Sequence, residues 1–404
     1  MTNILYVSTL CSERTNDYLF RTALEKPIQS AQKFHRLIVK GLGHHGNTKV
    51  DVRSTVPVVP SRHRRKLWMV KSQVEDGIAY RYLSFLNIRV LKNITLFFTC
   101  FWSVAFWSLR RWNQKRVMVT DVLNLTTLTA FLSASKLTGA QSIGIVTDMP
   151  NLMVSSSAKN RGKFSTSSLS FYLIRQLNGM VLLTEQMNAA INPKNRPYIV
   201  MEGLVDVRMT DSENELGAKH AKRTILYAGG LHEEYGIKCL IEGFMMLEDT
   251  DLELHLFGVG PMVEDIKRYA QTDRRIVFHG MVANNIVVAA QLKATLLINP
   301  RFSHEEFTKY SFPSKNMEYM VSGTPVLTTA LPGMPKEYGE YVFLFEKEDV
   351  PGMYNALKRT LALGREELHE RGTRAKAFVL AEKNNLKQAD RILSLIDTVL
   401  GKQA

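Results

Sequence analysis

Apolar residues along the chain recur in short β-branched runs, and longer stretches with helical periodicity lie between them. Residues 27–40 are such a helical stretch, and Gly41 and Gly43 are expected to end it. Residues 125–136 form another helical stretch. In the first half of the chain, buried parallel strands are predicted at residues 3–9, 49–54, 116–119, 141–147, 180–184 and 198–201.

This alternation of strands and helices stops at a polar interval and then begins again. Residues 205–223 are poor in apolar side chains and rich in charge, as a linker is. Beyond the interval, strands are predicted at residues 224–227, 252–257, 275–278, 295–298, 325–328 and 341–344. The pattern therefore predicts an α/β protein with two doubly wound, Rossmann-like parallel-sheet domains that face a central cleft.

The length of 404 residues suits two domains of ordinary size. The first is predicted at residues 1–205, the linker at 206–223 and the second at 224–382. Residues 383–404 are predicted to form an amphipathic C-terminal helix whose apolar side packs back on the first domain.

The net charge of +14 indicates an anionic partner, such as nucleic acid, a membrane surface or a phosphorylated substrate. The chain has no nucleic-acid-binding motif, so we predict an anionic membrane surface and no nucleic acid. Residues 94–109 carry no charge but are fewer than the ~20 residues of a spanning helix. Two interpretations stay open: a helix buried against a sheet, or an aromatic-rich helix that contacts the bilayer beside the basic residues 62–66.

The N-terminal residues lack the basic and then long apolar pattern of a signal peptide. The three cysteines, Cys11, Cys100 and Cys239, are scattered and odd in number, which favours a reducing compartment. A cytoplasmic protein is therefore expected.

Cationic and glycine-rich segments mark the predicted strand ends of the second half. Gly229, Gly230 and Gly258 follow strands, and glycine there lets the backbone approach a ligand closely. Arg301, Lys309 and Lys315 are three cations within a loop and a helix start, an environment that suits a diphosphate. Glu318 lies one turn beyond Lys315, where a carboxylate can accept hydrogen bonds from the two ribose hydroxyls.

From residue 224 to residue 400 the sequence resembles the nucleotide-binding domain of family 4 glycosyltransferases, which have the two-domain GT-B fold. The resemblance rests mainly on SFPSKNMEYM at 311–320 and SGTPV at 322–326, in that order and spacing. Shorter matches are YAGG at 227–230, FGVGP at 257–261, FHGMV at 278–282 and NPR at 299–301. It implies metal-independent sugar transfer with retention of configuration. It also implies that Glu318 holds the donor ribose, while Gly258 and the backbone of Met281 and Val282 line the nucleotide site.

The chain departs from the family pattern at two positions. Tyr310 stands where the family has the first of two glutamates, and Gly230 and Tyr235 stand where it has an arginine and a lysine. We therefore hypothesise that Arg301, Lys309 and Lys315 bind the diphosphate instead. In the first half, Asp148 lies where many family members place a cleft-facing polar residue, and Glu202 also resembles a family position.

The predicted site is accordingly divided between catalysis and donor binding, with no metal ligand. The predicted catalytic residues are Asp148, Lys315 and Glu318. The predicted donor-binding residues are Gly229, Gly230, Gly258, Met281, Val282, Arg301, Thr308, Lys309, Ser311, Phe312 and Glu318.

The resemblance implies a hexosyltransferase-type enzyme, with an acceptor-binding first domain and a nucleotide-sugar-binding second domain. Its co-substrate is expected to be a nucleotide sugar, most simply a UDP-sugar, with no other cofactor. The positive charge favours a lipid-linked or glycan acceptor, as in capsular or exopolysaccharide biosynthesis, for a peripheral protein at the inner face of the cell membrane. The alternatives are a sugar-nucleotide epimerase or hydrolase of the same fold, and an inactive nucleotide-binding partner subunit.

Overall fold

The computed structural model describes residues 1–23, 30–61, 63–150, 163–211 and 213–401. The chain divides into two compact units, and each is described by itself. The first unit comprises Met1–Leu204 and Asn385–Ala404, and the second comprises Val205–Asn384. Residues 27–29 of the helix predicted at 27–40, and Arg62 of the basic run, lie outside the described residues.

The first unit contains ten of the strands and seven of the helices in the described ranges, numbered along the whole chain. The strands are β1 (Thr2–Ser8), β2 (Thr48–Ser54), β3 (Leu67–Trp68), β4 (Gln73–Glu75), β5 (Ile78–Tyr82), β6 (Phe85–Leu86), β7 (Arg116–Asp121), β8 (Gln141–Val146), β9 (Gly179–Leu182) and β10 (Tyr198–Val200). The helices are α1 (Glu13–Thr22), α2 (Ser30–His44), α3 (Leu91–Leu109), α4 (Leu125–Thr138), α5 (Lys163–Ile174), α6 (Glu185–Ile191) and α13 (Asn385–Gly401).

The sheet of the first unit has the order β10-β9-β8-β7-β1-β2-β5-β4. It is parallel except for β4, which pairs antiparallel with β5 at one edge. All seven residues of β1 are buried, as expected for a central strand covered on both faces. The separate pair β3 and β6 is antiparallel and was not predicted, because two-residue strands carry no readable periodicity.

Gly41 and Gly43 do not end their helix, contrary to the prediction. The helix α2 continues through both glycines to His44. A Cβ at Gly41 would overlap the carbonyl oxygen of Asn385, at the start of α13. Gly41 therefore permits a close approach of two helices, and this tertiary contact outweighs the helix-breaking tendency of glycine. Against the same face of the sheet, α13 packs Ile392, Leu395 and Ile396 into the core of the first unit.

Residues 94–109 do form a helix, as predicted, and α3 starts three residues earlier than they do. One side of α3 is buried, including Leu96, Cys100 and Trp107. Its other side exposes large apolar residues, so α3 is buried against the first unit on one side only, and contact with a bilayer stays a prediction. Among the described helices, none is long and apolar enough to cross a membrane.

The second unit is built on one six-stranded parallel sheet with the order β13-β12-β11-β14-β15-β16. Its strands are β11 (Arg223–Gly230), β12 (Leu252–Val259), β13 (Ile276–Gly280), β14 (Leu296–Asn299), β15 (Val326–Thr328) and β16 (Phe343–Leu344). Its α-helices are α7 (Ile237–Met245), α8 (Val263–Thr272), α9 (Asn284–Lys293), α10 (Ser314–Ser322), α11 (Val350–Leu361) and α12 (Arg365–Glu382). The predicted fold class, parallel-sheet α/β in both halves of the chain, is confirmed.

Residues 205–223, for which a linker is predicted, contain two 3₁₀ turns, Val207–Asp211 and Leu216–Ala218. They are tied to the second unit by side chains that flank the end of α10. Asn214 donates a hydrogen bond to the Ser322 carbonyl at 2.7 Å, and Lys219 donates one to the Thr324 hydroxyl at 2.9 Å.

Candidate functional site

The order of strands in the second unit reverses between β11 and β14. At such a switch point the loops leave the sheet toward opposite faces, and a crevice forms at the carboxyl ends of the two strands. Here β11 ends in Gly229 and Gly230, and β14 ends in Asn299. The predicted cationic loop follows Asn299 directly, so the fold brings the glycine pair and the cations to one edge of the sheet.

The helix α10 carries Lys315 and Glu318, and a buried tyrosine fixes it against β11. The Tyr319 hydroxyl, which is fully buried, accepts a hydrogen bond from the Ala228 amide at 2.9 Å. Because Ala228 directly precedes Gly229, this bond sets the position of α10 relative to the end of β11.

A second buried contact fixes α10 against the neighbouring strands. The Asn316 side-chain oxygen accepts a hydrogen bond from the Asn299 amide at 2.8 Å, and the Asn316 amide donates one to the Thr328 hydroxyl at 3.3 Å. The first turn of α10 is therefore tied to the carboxyl ends of β14 and β15. A helix start held rigidly at a strand edge presents its free amides to a ligand.

Lys315 lies over the ring of Tyr227, with its Nζ 5.5 Å from the ring centroid. A Cβ at Gly229 would overlap the Lys315 ammonium, so the glycine leaves the space that this side chain occupies. Burial, and next the charge of Arg301, lower the pKa of Lys315 from its usual value to about 8. Two cations that repel each other in a half-buried crevice leave a site that an anion would stabilise.

Arg301 is held by two aromatic rings. Its guanidinium carbon lies 4.4 Å from the ring centroid of Tyr235 and 5.1 Å from that of Phe307. Tyr235 is the position where the resemblance leads one to expect a lysine. The arginine of the β14 loop thus places its positive charge against the residue that replaces that lysine.

Glycine residues allow the backbones of β11 and β12 to approach each other closely at this edge of the sheet. Gly258 has φ +137°, and a Cβ there would overlap the carbonyl oxygen of Gly229. The carboxyl ends of β11 and β12 therefore approach each other more closely than any other residue type allows. This geometry agrees with the predicted role of Gly258, although the role itself stays a prediction.

The predicted donor-binding residues in the loop before α10 differ in their exposure and in their hydrogen bonding. The Ser311 hydroxyl is buried and has no hydrogen-bond partner among the described residues, so it is available to a ligand. In contrast, the Thr308 hydroxyl is satisfied within the loop by the carbonyls of Ser303 and Glu305. Phe312 is buried beside Tyr338 and can offer only its backbone, and Lys309 is exposed.

Other predicted residues lie farther along the edge or in the first unit. Met281 and Val282 follow the edge strand β13, with Met281 exposed and Val282 half-buried. Glu318 is half-buried, one turn beyond Lys315 on α10. In the first unit, Asp148 is exposed in the loop after β8, and Glu202 is buried after β10.

Three residues that hold the site in place were not predicted: Tyr227, Asn316 and Tyr319. Two of them lie inside the SFPSKNMEYM segment, but their side chains point into the protein rather than toward a ligand. Only their hydrogen bonds across the sheet reveal their part. No group of three or more histidine, cysteine or acidic side chains with the geometry of a metal site occurs in the described ranges.

Residues 222–362 match the family model described as "Glycosyl transferases group 1". They contain β11 to β16 and every contact of the crevice described above. Over these residues the second unit is similar to group 1 glycosyltransferases. The predicted enzyme class, glycosyltransferase, is thereby confirmed, and membership of family 4 is compatible with this match and stays a prediction. No curated protein sequence matches the chain.

Solved structures that are similar to this protein align with nearly the whole chain. Sucrose-phosphate synthase from Thermosynechococcus elongatus has a TM-score of 0.68 at 14% identity and covers 100% of both chains. Anabaena HepE in complex with UDP has a TM-score of 0.60 at 13% identity, over 98% of this chain and 100% of its own. The apo form of the lipopolysaccharide outer core galactosyltransferase WaaB has a TM-score of 0.60 at 12% identity, over 98% and 99%. At these identities the similarity establishes the fold.

Proposed function

We propose that the protein is a retaining glycosyltransferase that moves a sugar from a nucleoside diphosphate donor, most simply a UDP-sugar, to a glycan or lipid-linked acceptor. The observation that carries this proposal is the first turn of α10, where Lys315 faces Gly229 and Arg301 at the switch point of the sheet. The HepE structure, which contains UDP, supports a uridine nucleotide as the first donor to test.

In this proposal the cations act on the leaving group. The bond between the anomeric carbon and the diphosphate oxygen breaks, and the acceptor oxygen forms the new bond while its proton passes to the diphosphate. Negative charge grows on the diphosphate as the bond breaks. Lys315, Arg301 and the amides of the α10 start stabilise that charge, and they need no reorganisation because Asn316 and Tyr319 already hold the helix.

The remaining predicted residues position the donor. Glu318 accepts hydrogen bonds from the ribose hydroxyls, and the unpartnered Ser311 hydroxyl donates to a phosphate oxygen. Asp148, in the first unit, is proposed as a further catalytic residue. Tyr310 stands at the position of the family's first glutamate, so the enzyme is proposed to work without a carboxylate there.

We further propose that the acceptor is membrane-associated, as in capsular or exopolysaccharide biosynthesis, and that the protein acts at the cytoplasmic face of the cell membrane. The net charge of +14 and the exposed aromatic side of α3 support this context. No metal or other cofactor is proposed to take part.

Nucleotide release tests the reaction. The purified protein is incubated with a panel of nucleotide sugars and lipid-linked acceptors in detergent, with a chelator present. Release that requires both one donor and an acceptor supports the proposal. Release without any acceptor would indicate an epimerase or hydrolase, and tight nucleotide binding without release would indicate an inactive partner subunit.

A further inference from the structure

The outward side of α3 is a continuous apolar surface, named here the aromatic stripe and made of Ile94, Phe98, Trp102, Phe106 and Leu109. These residues recur every three or four positions, so they share one side of the helix. Phe98 is 55% exposed, Trp102 51% and Phe106 55%, and the Trp102 and Phe106 rings stack with centroids 5.5 Å apart. An exposed apolar surface of this extent marks an interaction site.

The opposite side of α3 is anchored to the sheet by polar as well as apolar contacts. The Trp107 indole donates a hydrogen bond to Asp51 at 2.9 Å, and Arg111 forms an ion pair with the same carboxylate at 3.1 Å. Arg53 donates a hydrogen bond to the Ser103 hydroxyl at 2.8 Å. These contacts fix α3 against the sheet with its aromatic stripe facing outward.

Cations are concentrated in the part of the sequence that contains the stripe. Between residues 52 and 120 the chain has thirteen lysines and arginines against two acidic residues, a net charge of +11 out of the total of +14. Arg64, Arg65 and Lys66, named here the basic turn, are exposed. Asn87, four residues before α3, holds this turn at the start of the helix by hydrogen bonds to the carbonyls of Arg65 and Lys66.

We propose that the aromatic stripe lies in the interface of an anionic lipid bilayer, with the basic turn on the phosphate headgroups. Aromatic rings beside cations are the chemistry that this interface selects, since rings enter the acyl boundary while lysines and arginines remain with the headgroups. Each cation near an anionic surface adds to the attraction. A second copy of the chain fits less well, because it would bring the same excess of positive charge to the contact.

This inference gives the membrane part of the proposed function a place on the molecule. It rests on that part alone, because neither the donor site nor sugar transfer enters it. The stripe and the basic turn both belong to the first unit, for which the resemblance implies acceptor binding. A lipid-linked acceptor is confined to the bilayer, so a first unit that lies on the bilayer meets it at a high local concentration.

Co-sedimentation of the full-length protein with vesicles tests the proposal without donor or acceptor. Vesicles of equal parts phosphatidylcholine and phosphatidylglycerol are expected to bind the protein, and high salt or pure phosphatidylcholine is expected to weaken binding. The double variant Phe98→Ser, Trp102→Ser should weaken binding at least tenfold, because both rings are exposed and their loss does not disturb the core. The matched control, Met246→Ser with Ile286→Ser, removes two exposed apolar side chains from the second unit and should bind as wild type does.

Tryptophan fluorescence gives an independent measurement. Trp68 and Trp107 are buried, so in a Trp112→Phe variant Trp102 is the exposed indole. Its emission should shift to the blue with anionic vesicles and be quenched by brominated lipid.

Equal binding by the double variant and the control, or no binding by wild type, would overturn the proposal. Self-association that the double variant abolishes, without vesicle binding, would show that the stripe is a contact between copies instead. Failure of nucleotide release in detergent, with vesicle binding intact, would overturn the transferase proposal alone.

Discussion

At the scale of single residues, the candidate site depends on a lysine whose charge is sensitive to pH. Burial and Arg301 lower the pKa of Lys315 to about 8, so the side chain loses its proton at a pH where ordinary lysines keep theirs. Between that pH and the ordinary value, the folded protein binds fewer protons than the unfolded chain does. The stability of the ligand-free protein should therefore rise with pH in this window, while its affinity for anions falls.

Lys315→Ala should lower the affinity for UDP by about tenfold or more near neutral pH, since a charge-assisted hydrogen bond contributes roughly 1.5–3 kcal/mol. Wild type should lose affinity as the pH rises through about 8, and the variant should show no such loss. Isothermal titration calorimetry with UDP at several pH values measures both effects. Lys267→Ala, which removes an exposed lysine from α8, serves as the control. An unchanged affinity in Lys315→Ala would place the diphosphate elsewhere.

Two glycines of the site should respond differently to the same substitution. At Gly229 an added Cβ meets the flexible end of Lys315, which can move away, so Gly229→Ala should weaken UDP binding and leave stability nearly unchanged. At Gly258 the Cβ meets the backbone of Gly229 at a φ of +137°, so Gly258→Ala should cost roughly 1–3 kcal/mol of stability. Urea denaturation and UDP titration of both variants separate these outcomes. Equal destabilisation by the two variants would show that the Lys315 side chain cannot move away from the added Cβ.

The residues proposed to touch a ligand are easier to predict from the sequence than those that support them. Arg301, Lys315 and Glu318 could be predicted because charged side chains near a helix start suggest a phosphate site from the sequence alone. Asn316 and Tyr319 could not, because an asparagine or a tyrosine inside a helix has no distinguishing pattern. Their part depends on strands that are far away along the chain, such as the bond from Asn316 to Thr328.

At the scale of elements, α10 carries the predicted site residues Lys315 and Glu318 and is fixed to the sheet by buried side chains. Tyr319→Phe removes a hydroxyl and leaves the half-buried Ala228 amide without this partner. We expect a loss of about 1–3 kcal/mol in the free energy of unfolding of the second unit. We also expect a rise in the donor KM, because α10 loses its fixed position. Tyr354→Phe on α11 is the control, because it removes a tyrosine hydroxyl whose hydrogen bond, from Lys358, is exposed. Chemical denaturation with steady-state kinetics measures the effects. Unchanged stability would mean that water replaces the hydroxyl.

The helix pair α2 and α13 offers a matched comparison on one helix. Gly41→Ala should destabilise the first unit, because its Cβ would overlap Asn385 and lie 2.9 Å from the Ala389 Cβ. Gly43→Ala should be neutral or stabilising, since its Cβ would meet Ile78 at 3.4 Å and alanine favours a helix by about 1 kcal/mol over glycine. Thermal unfolding followed by circular dichroism measures both variants. A destabilised Gly43→Ala would show that helix propensity is not the deciding term there.

The central elements of both sheets could be predicted because their strands are buried runs of apolar residues, as β1 and β14 are. The pattern failed where tertiary contacts decide. Gly41 would end an isolated helix but here allows two helices to touch. The exposure of one side of α3 could not be predicted from the sequence either, because a row of aromatic residues has the same periodicity whether it faces a core or the solvent.

At the scale of the whole molecule, the two units differ in whether one continuous segment of the chain forms them. The second unit is continuous, whereas the first is completed by α13, which follows the second unit in the sequence. Deletion of residues 385–404 should unfold the first unit, because Ile392, Leu395, Ile396 and Val399 leave its core, at about 1.5–3 kcal/mol for each buried side chain. Limited proteolysis should then yield the second unit as a resistant fragment. A deletion variant that keeps a protease-resistant first unit would contradict this expectation.

The late position of α13 also has a consequence for synthesis. While the ribosome makes the 180 residues from Val205 to Asn384, the nascent first unit has to wait with the apolar side of α2 uncovered. At common elongation rates this interval lasts roughly ten to forty seconds. The second unit is free to fold during that time, so the usual order, in which the amino-terminal part matures first, is reversed. Chaperones that bind exposed apolar surfaces should therefore associate with the amino-terminal half of the nascent chain until its last helix emerges.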